Sequence, residues 1–346
     1  MPHSLTHPRA DRTHRPEIPT RLLVHALVRE DGAVDAGELY SVAGLLGMTD
    51  QQVRLCVKRL VGEEKFRQEG RGRKAVLRAV SDAATGTLAP DADHVRHAYR
   101  QDHGLAPWDG TWHLFAFAVP EARRTARDAL RETLLHLGAA PLQGGLYVAA
   151  NPIADLVEAQ ARQLGVLDSV TFLTSTDLRV GELTDPRELA AAVWPLDAIA
   201  ARHDQLADFA TACVDRLAAA DGADGADGAG GGGLSGAERL TLAVELAAEF
   251  GHAMTPDPLL PPELLPRPWP GSRARRLARE CWAALSALPD EHGDATPPPR
   301  LFRLFRLYDD AFTAPEEPGE RGERGERGER GERGDGGDDE PGERSR

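Results

Sequence analysis

The alternation of apolar and polar positions predicts a compact domain between residues 20 and 80. Three successive runs, TRLLVHALVRE, DAGELYSVAGLLG and the run after Thr49, repeat apolar residues at helical spacing. The next two runs, KFRQEG and KAVLRAV, alternate with period two on either side of RGR, as the strands of a hairpin do. Helix, helix, tight turn, helix and hairpin is the order of a winged helix-turn-helix, which we expect here.

The same periodicity predicts which residues face the core of this domain. Gly47 ends the second helix, and Thr49 or Asp50 then supplies the N-cap of the third. The inward residues are Leu22, Leu23, Ala26 and Leu27 of the first helix, Leu39, Val42, Ala43 and Leu46 of the second, and Val53, Cys56, Val57 and Leu60 of the third.

The opposite face of the third helix carries residue types that read DNA. Arg and Gln side chains match the purine edges in the major groove, and the free N–H groups at a helix start suit a phosphate. Basic residues at the hairpin tip are expected over the adjacent backbone or minor groove. The predicted DNA-binding residues are Thr49, Gln51, Arg54, Leu55, Lys58, Arg59, Arg71, Arg73 and Lys74. A solvated basic face on a small helical domain is the alternative interpretation.

The distribution of charge favours the DNA interpretation although the chain as a whole is acidic. The net charge is −14, but residues 1–80 carry 14 Lys/Arg against 10 Asp/Glu. Residues 54–78 alone carry nine basic and three acidic side chains. A basic head on an acidic body is the electrostatic footprint expected of a protein that binds nucleic acid through one domain.

The remaining pattern predicts an α+β multidomain chain. Strand and helix signals alternate in a middle domain, and a mainly helical C-terminal domain contains the Gly/Asp/Ala-rich insert DGADGADGAGGGG, predicted as a flexible loop. The repeat GERGERGERGERGERG lacks internal proline, so a disordered polyampholyte is expected there rather than a collagen helix. The predicted segments are a disordered tail at 1–19, a winged helix at 20–80, a linker at 81–93, a middle domain at 94–180, a helical domain at 185–312 with its insert at 221–233, and a disordered tail at 314–346. Within the middle domain we expect strands at 111–119, 144–149 and 169–175 and helices at 121–137 and 153–164.

Two further segments are WDGTWHLFAFAVPE and GAAPLQGGLYVAANP. Together with the predicted winged helix that precedes them, they resemble the PaaX family of bacterial transcriptional regulators. The segment PRPWPGSRARRLARECW is similar to the closing segment of that family, in which a W-P-G step leads into a helix. The residues at corresponding places in the first two segments are Trp108, Gly110, Trp112, Pro120, Glu121, Arg124, Arg127, Gly138, Leu142, Gly145, Tyr147 and Pro152. The resemblance covers residues 20–312 and implies a repressor with an N-terminal winged helix, a ferredoxin-like middle domain similar to a CRISPR-associated endonuclease, and a helical C-terminal region.

The resemblance also implies partners. Its namesake subgroup is released from DNA by phenylacetyl-CoA, so an aryl-acyl-CoA is the expected effector. Arginines on the middle helix and after Gly271 are candidates for its phosphates, although solvated faces or salt bridges remain the alternative: Arg123, Arg124, Arg127, Arg131, Arg273, Arg275, Arg276 and Arg279. A homodimer on a palindromic double-stranded operator is expected, because two-fold symmetry sets two recognition helices about one DNA turn apart.

Two residues depart from the family pattern. Ala118 stands where members usually have an Asp just before the Pro-Glu pair. A divalent metal at that place would lack its hard oxygen ligand, so a nuclease activity is not expected. Leu55 stands where a small polar residue is common, which predicts a different operator.

The sequence offers no convincing catalytic, metal or cofactor constellation. His113 lies on a predicted strand, and His94 and His97 share a helical face without a convincing third ligand. The segment GGLYVAANP lacks the G-x-G-x-x-G order of a dinucleotide site. We therefore expect no enzyme and no cofactor.

The cellular setting and the rival function follow from the remaining features. Cys56, Cys213 and Cys281 form no zinc or disulfide pattern, and no apolar run suggests a signal peptide or membrane span, so a reduced cytoplasm is expected. The rival to a DNA-binding regulator is a non-enzymatic protein-interaction module whose winged helix no longer binds DNA. The salt dependence of DNA affinity discriminates between the two.

Overall fold

The described part of the N-terminal region consists of three helices and one sheet of three short strands. The structure is a computed structural model that describes residues 18–80, 92–223, 234–286 and 302–312. Strand β3 lies between β1 and β2 and is antiparallel to both. Helix α2 ends where Gly47 adopts a φ of +76°, a conformation that glycine tolerates best. The elements are α1 (Thr20–Ala26), β1 (Ala33–Asp35), α2 (Ala36–Leu45), α3 (Asp50–Gly62), β2 (Phe66–Glu69) and β3 (Val76–Ala79).

The middle region is a four-stranded antiparallel sheet with strand order β5-β6-β4-β7. The order β-α-β-β-α-β, with the first and third strands in the centre, is that of a ferredoxin-like sheet. Phe115 and Tyr147 face the cluster that contains α5 and α6, whereas Trp112 and Leu114 face the other way, towards Trp194. The elements are α4 (Ala92–Asp102), β4 (Trp112–Phe117), α5 (Arg124–His136), β5 (Ala140–Gln143), β6 (Leu146–Ala149), α6 (Ala154–Gln163) and β7 (Val170–Ser175).

The C-terminal region is helical. Helix α9 starts at a capping box between Ser235 and Glu238 and is buried around most of its circumference, because α2 packs on it as well as α8 and α10. No helix in the described ranges is both long enough and apolar enough to cross a membrane. The elements are α7 (Pro186–Val193), α8 (Leu196–Ala223), α9 (Gly236–Met254), α10 (Pro270–Ser286) and α11 (Arg303–Phe312).

The largest apolar core joins the N-terminal region to the C-terminal helices. Side chains of α1 to α3 share one cluster of buried residues with side chains of α8 to α11. The backbone N–H of Arg303 donates to the carbonyl of Val28 at 2.9 Å, and the guanidinium of Arg29 lies over the ring of Phe302. Because α2 is held against α9, the short N-terminal region does not depend on its own few apolar residues alone.

The observed elements differ from the predicted ones at several short features. Strand β1 has only three residues, too few to show a period, and β5 contains Pro141, which disfavours a strand except at an edge such as this one. Ile18 is buried and thus belongs to the packed region. Helix α8 continues to Ala223, through the first three positions of the predicted insert. Positions 1–17, 81–91, 224–233 and 313–346, on which the other predictions of linkers and disordered tails fall, lie outside the described residues.

Candidate nucleic-acid interface

Helix α3 begins with a complete capping box. The backbone N–H of Gln52 donates to Oγ1 of Thr49 at 3.3 Å, and the backbone N–H of Thr49 donates to Oε1 of Gln52 at 2.7 Å. Thr49 is therefore the N-cap. Asp50 becomes the first helical residue, where the helix dipole stabilises its negative charge.

The outer face of α3 is exposed along its length. All nine residues predicted to bind DNA have exposed side chains, and Leu55 is 59% exposed although it is apolar. On the inner face Val53 and Leu60 are buried, whereas Cys56 and Val57 are half-buried. The residues on the outer face and at the hairpin tip are Thr49, Gln51, Arg54, Leu55, Lys58, Arg59, Arg71, Arg73 and Lys74.

The hairpin tip packs on the start of α2. A 3-10 turn at Gly72–Lys74 forms the tip, and the backbone N–H of Ala36 donates to the carbonyl of Ala75 at 3.0 Å. A Cβ on Gly37 would lie 3.1 Å from the carbonyl oxygen of Arg73, so a glycine there allows the close approach. These contacts hold the tip against the first turn of α2.

Asp50 links α3 to the hairpin tip electrostatically. Its carboxylate lies 3.9 Å from Nη2 of Arg54 and 3.5 Å from Nη2 of Arg73, and the guanidinium of Arg73 also lies over the ring of Tyr40. Exposed pairs of this kind contribute only about 0–1 kcal/mol, so phosphate can replace the carboxylate at little cost. Neither Asp50 nor Tyr40 is predictable in these roles from the sequence, because the spacing of residues 40, 50 and 73 shows no pattern.

Four of the predicted cations are available to an anion. In the described ranges, no carboxylate lies within ion-pair distance of Lys58, Arg59, Arg71 or Lys74. Between α3 and the hairpin lies a cavity of about 290 Å³ whose lining includes Arg54, Lys58 and Gln68. The surface is therefore basic and concave at the junction of helix and hairpin.

The ionisable groups behind this surface are buried in their neutral forms. Burial lowers the pKa of His25, aided by the charges of Arg21 and Lys65. Burial likewise raises the pKa of the Cys56 thiol, which disfavours a reactive thiolate. Neither group adds charge to the outer face near neutral pH.

The arginines predicted to bind an effector lie on α5, in the 3-10 turn just before it, and on α10, and most have partners within the chain. Arg123 donates to the carbonyls of Gly165 and Leu164 at 2.6 and 3.0 Å, at the end of α6. Arg275 is buried, and Arg279 lies over the ring of Tyr99. The surface ion pairs are Arg124–Asp128, Arg127–Glu121 and Arg276–Glu280, and the exposed arginines without a carboxylate partner in the described ranges are Arg131 and Arg273.

Two of the histidines singled out by the sequence contact polar atoms from distant parts of the chain. Nε2 of His94 lies 3.2 Å from the carbonyl of Met254, and Nε2 of His97 lies 3.3 Å from Oδ1 of Asn151. Burial lowers the pKa of His97 and of His113, and the imidazole Nε2 of His113 is buried without a partner. Within the described residues, no three acidic, His or Cys side chains are grouped as metal ligands.

The sequence matches two family models. Residues 105–190 match the PaaX protein central Cas2-like domain, and residues 194–295 match the PaaX-like protein C-terminal domain. Among solved structures, the chain is similar to the uncharacterized protein Rv0674 from Mycobacterium tuberculosis, with 21% identity over 76% of this chain and 93% of that chain and a TM-score of 0.41. No curated protein matches.

Proposed function

Because this chain belongs to the PaaX family of regulators, we propose that it is a DNA-binding transcriptional repressor that a small-molecule effector releases from its operator. The matched domains are regulatory rather than catalytic, which accords with the absence of a catalytic constellation in the sequence. The single observation that supports DNA binding most strongly is the exposed, capped and basic outer face of α3.

The topology of the N-terminal region supports a winged helix. Its order, helix, strand, two helices and a hairpin in one three-stranded sheet, is the order of that fold, with α3 as the recognition helix. The hairpin then takes the role of the wing. In this arrangement, the first helix of the pair, α2, is anchored to α9 and fixes how the outer face is presented.

The outer face divides into base-reading and phosphate-binding residues. Gln51, Arg54 and Lys58 reach the base edges of the major groove, and Leu55 contacts a thymine methyl group. Thr49 and the first N–H groups of α3 bind a phosphate, as does Arg59 at the edge of the face. The wing residues Arg71, Arg73 and Lys74 bind the neighbouring backbone or minor groove.

A second copy and an effector complete the regulatory cycle. Two copies related by a two-fold axis place two α3 helices on a palindromic operator. The effector implied by the family is an acyl-CoA such as phenylacetyl-CoA, and it releases the operator only if it binds the two states of the dimer with different affinity.

The test is recovery of bound genomic fragments followed by measurement of affinity against salt. Fluorescence anisotropy with a recovered fragment should show log affinity falling linearly with log salt, with a slope of several, because several phosphates are contacted. A matched fragment of scrambled sequence controls for non-specific attraction. Absence of binding at low salt would instead support the rival function, a protein-interaction module centred on the exposed Leu55.

A further inference from the structure

The cavity between α3 and the hairpin, which we call the hairpin cavity, is lined largely by apolar side chains. It measures about 290 Å³, and α2, α3, β2 and β3 all contribute to its lining. Leu39 and Leu77 are buried residues of this lining, and Val57 and Val61 of α3 are half-buried. An apolar group that fills such a space leaves water and gains dispersion contacts, so its binding is favourable.

Small side chains keep the hairpin cavity open. Ala36, Gly72 and Ala75 belong to its lining but fill little volume. The backbone N–H of Ala36 donates to the carbonyl of Ala75 at 3.0 Å, which sets the distance between α2 and the hairpin at this point. The space therefore follows from a backbone contact and short side chains, and it is preformed, as small-molecule sites usually are.

One stripe of α3 presents both apolar and cationic side chains to the cavity. Arg54, Val57, Lys58 and Val61 all line it, and their helical spacing places them on the same side of α3. Val57 and Val61 supply hydrocarbon, whereas Arg54 and Lys58 are exposed to solvent and supply positive charge. The hairpin cavity is therefore apolar inside and basic where it meets solvent.

The charges around the cavity select an anion. Among the described residues that line it, two are cationic, Arg54 and Lys58, and none is acidic. The carboxylate of Asp50 lies 3.9 Å from Nη2 of Arg54, an exposed pair that contributes only about 0–1 kcal/mol. A bound anion thus gains the attraction of both cations and displaces at most one weak ion pair.

The polar groups nearby favour a single carboxylate. The carboxamide of Gln68 already donates to the carbonyl of Gly70 at 3.2 Å, so it does not demand a polar ligand. The guanidinium of Arg73 lies over the ring of Tyr40, which lines the cavity, and adds a third positive charge beside it. The two oxygens of a carboxylate match a guanidinium next to an ammonium, and the apolar interior accommodates the hydrocarbon attached to it.

We propose that the hairpin cavity binds a small apolar monocarboxylate through Arg54 and Lys58. The hydrocarbon part of the ligand lies against Val57, Val61 and Leu77. Because the proposed function assigns Arg54 and Lys58 to base reading, the bound carboxylate competes directly with DNA. Only this competition rests on the proposed function. It also requires no second conformation of the dimer, in contrast to an effector that acts by shifting one state to another.

The first experiment compares hexanoate with two matched probes on the full chain. Hexanamide has the same hydrocarbon without the charge, and acetate has the charge without most of the hydrocarbon. In ¹³C-methyl spectra of valine-labelled protein, the signals of Val57 and Val61 are assigned by their loss in Val57→Ile and Val61→Phe. We expect hexanoate to shift both signals with a dissociation constant of about 1 mM. Hexanamide should bind about tenfold more weakly, and acetate should not saturate up to about 10 mM.

Two variants test the two halves of the site, and a third controls for the substitution. Val61→Phe fills the cavity, so hexanoate should no longer shift the Val57 signal. Lys58→Met keeps a long side chain but removes the charge, so hexanoate should bind about 3- to 10-fold more weakly while hexanamide binding is unchanged. Val80→Phe makes the same replacement at an exposed residue outside the lining and should leave binding unaltered. Circular dichroism and melting temperatures verify folding, and the exposed Lys58→Met decides the result if Val61→Phe does not fold.

The second experiment measures the competition. In fluorescence anisotropy with a recovered fragment, hexanoate at about ten times its dissociation constant should lower DNA affinity about tenfold for each copy bound. Acetate at the same concentration controls for ionic strength and should have little effect. Val61→Phe lies outside the predicted DNA-binding residues, so this variant should bind DNA normally but no longer respond to hexanoate.

Three results would overturn the proposed site: no shift of the two valine signals by hexanoate up to about 10 mM, equal binding of hexanamide, or undiminished binding in folded Val61→Phe. Binding of hexanoate without loss of DNA affinity would overturn the competition. A protein that ignores DNA at low salt but binds hexanoate at these valines refutes the proposed function and supports the site. A protein that binds DNA but not hexanoate refutes the site alone.

Discussion

The outer face of α3 and the buried cluster of Asp102, Asp257 and Arg275 both pair arginines with aspartates, but one set of pairs is exposed to solvent and the other is not. At α3, Asp50 contacts Arg54 and Arg73 through long, exposed pairs. In the buried cluster, Arg275 donates to both oxygens of Asp102, from Nε at 2.7 Å and from Nη2 at 2.6 Å, and both side chains are largely buried. Solvated pairs exchange partners readily, whereas a desolvated bidentate pair does not, so only the arginines of the first region can exchange their carboxylate for an external anion.

The pKa values of Asp257 and Arg275 reflect the burial and the pairing of this cluster. Burial alone would raise the pKa of Asp257, but the hydrogen bond from His203 and the charges of His203 and Arg275 outweigh it and lower that pKa. Burial alone would lower the pKa of Arg275, but the hydrogen bonds and charge of Asp102, with the charge of Asp257, raise it. The carboxylates and the guanidinium stabilise each other in their charged forms, which makes the cluster a unit.

Breaking that unit should give the largest effect on stability. Arg275→Met leaves two buried carboxylates without their cation, and the free energy of unfolding should fall by about 3–5 kcal/mol. The matched control is Arg276→Met on the same helix, which removes only an exposed pair with Glu280 and should change stability by less than about 1 kcal/mol. Urea unfolding followed by circular dichroism measures both, and similar losses in the two variants would contradict the contrast.

The sequence predicted the exposed region more fully than the buried one, for a physical reason. Helix α3 is a local feature of the chain, because its N-cap, its apolar period and its exposed face all lie within residues 49–62. The ion pair joins Asp102 to Arg275 across 173 positions, and such pairings depend on tertiary packing. For the same reason Arg275 was grouped with its exposed neighbours as an effector ligand, although its buried position is set by α4 and the segment before α10.

The middle sheet and the segment around Trp269 also contain features that the sequence pattern alone does not predict. Five of the six elements of the ferredoxin-like unit were predicted within a few residues, but β5 was missed because it contains Pro141 and needs a neighbouring strand to define it. The glycine after Trp269 was noticed only as part of a W-P-G step. Its reason, that a Cβ at Gly271 would lie 2.6 Å from the indole Nε1 of Trp269, is visible only in three dimensions.

Among substitutions on the outer face of α3, the largest expected effect is a loss of DNA affinity and of base preference. Arg54→Ala should reduce affinity for the cognate operator by about 1–3 kcal/mol and relax the preference at one base pair, because a guanidinium reads a purine edge. Stability should change by less than about 0.5 kcal/mol, since the side chain is 72% exposed and its pair with Asp50 is long. Anisotropy titrations with single-base variants of the operator measure the loss, and unchanged affinity for every variant would exclude this role.

A smaller and less specific effect is expected at the wing. Arg73→Ala should weaken binding to cognate and scrambled fragments by the same factor and lower the salt slope by about one, because a phosphate contact carries no sequence information. The scrambled fragment serves as the control for the cognate fragment in the same titrations. A loss confined to the cognate fragment would assign Arg73 to base reading instead.

The smallest effect tests whether Asp50 competes with DNA for its two arginines. Asp50→Asn removes the carboxylate that lies near Arg54 and Arg73, so DNA affinity should rise by about 0.5–1 kcal/mol at low salt, with the gain fading as salt screens the charges. The loss of a negative charge in the first turn of α3 should cost about 0.3–1 kcal/mol of stability in return. Glu63→Gln, near the other end of the helix and paired with Arg21, is the matched control and should leave affinity nearly unchanged. An equal gain in both variants would mean that total charge, rather than the pairing of Asp50 with the two arginines, sets the affinity.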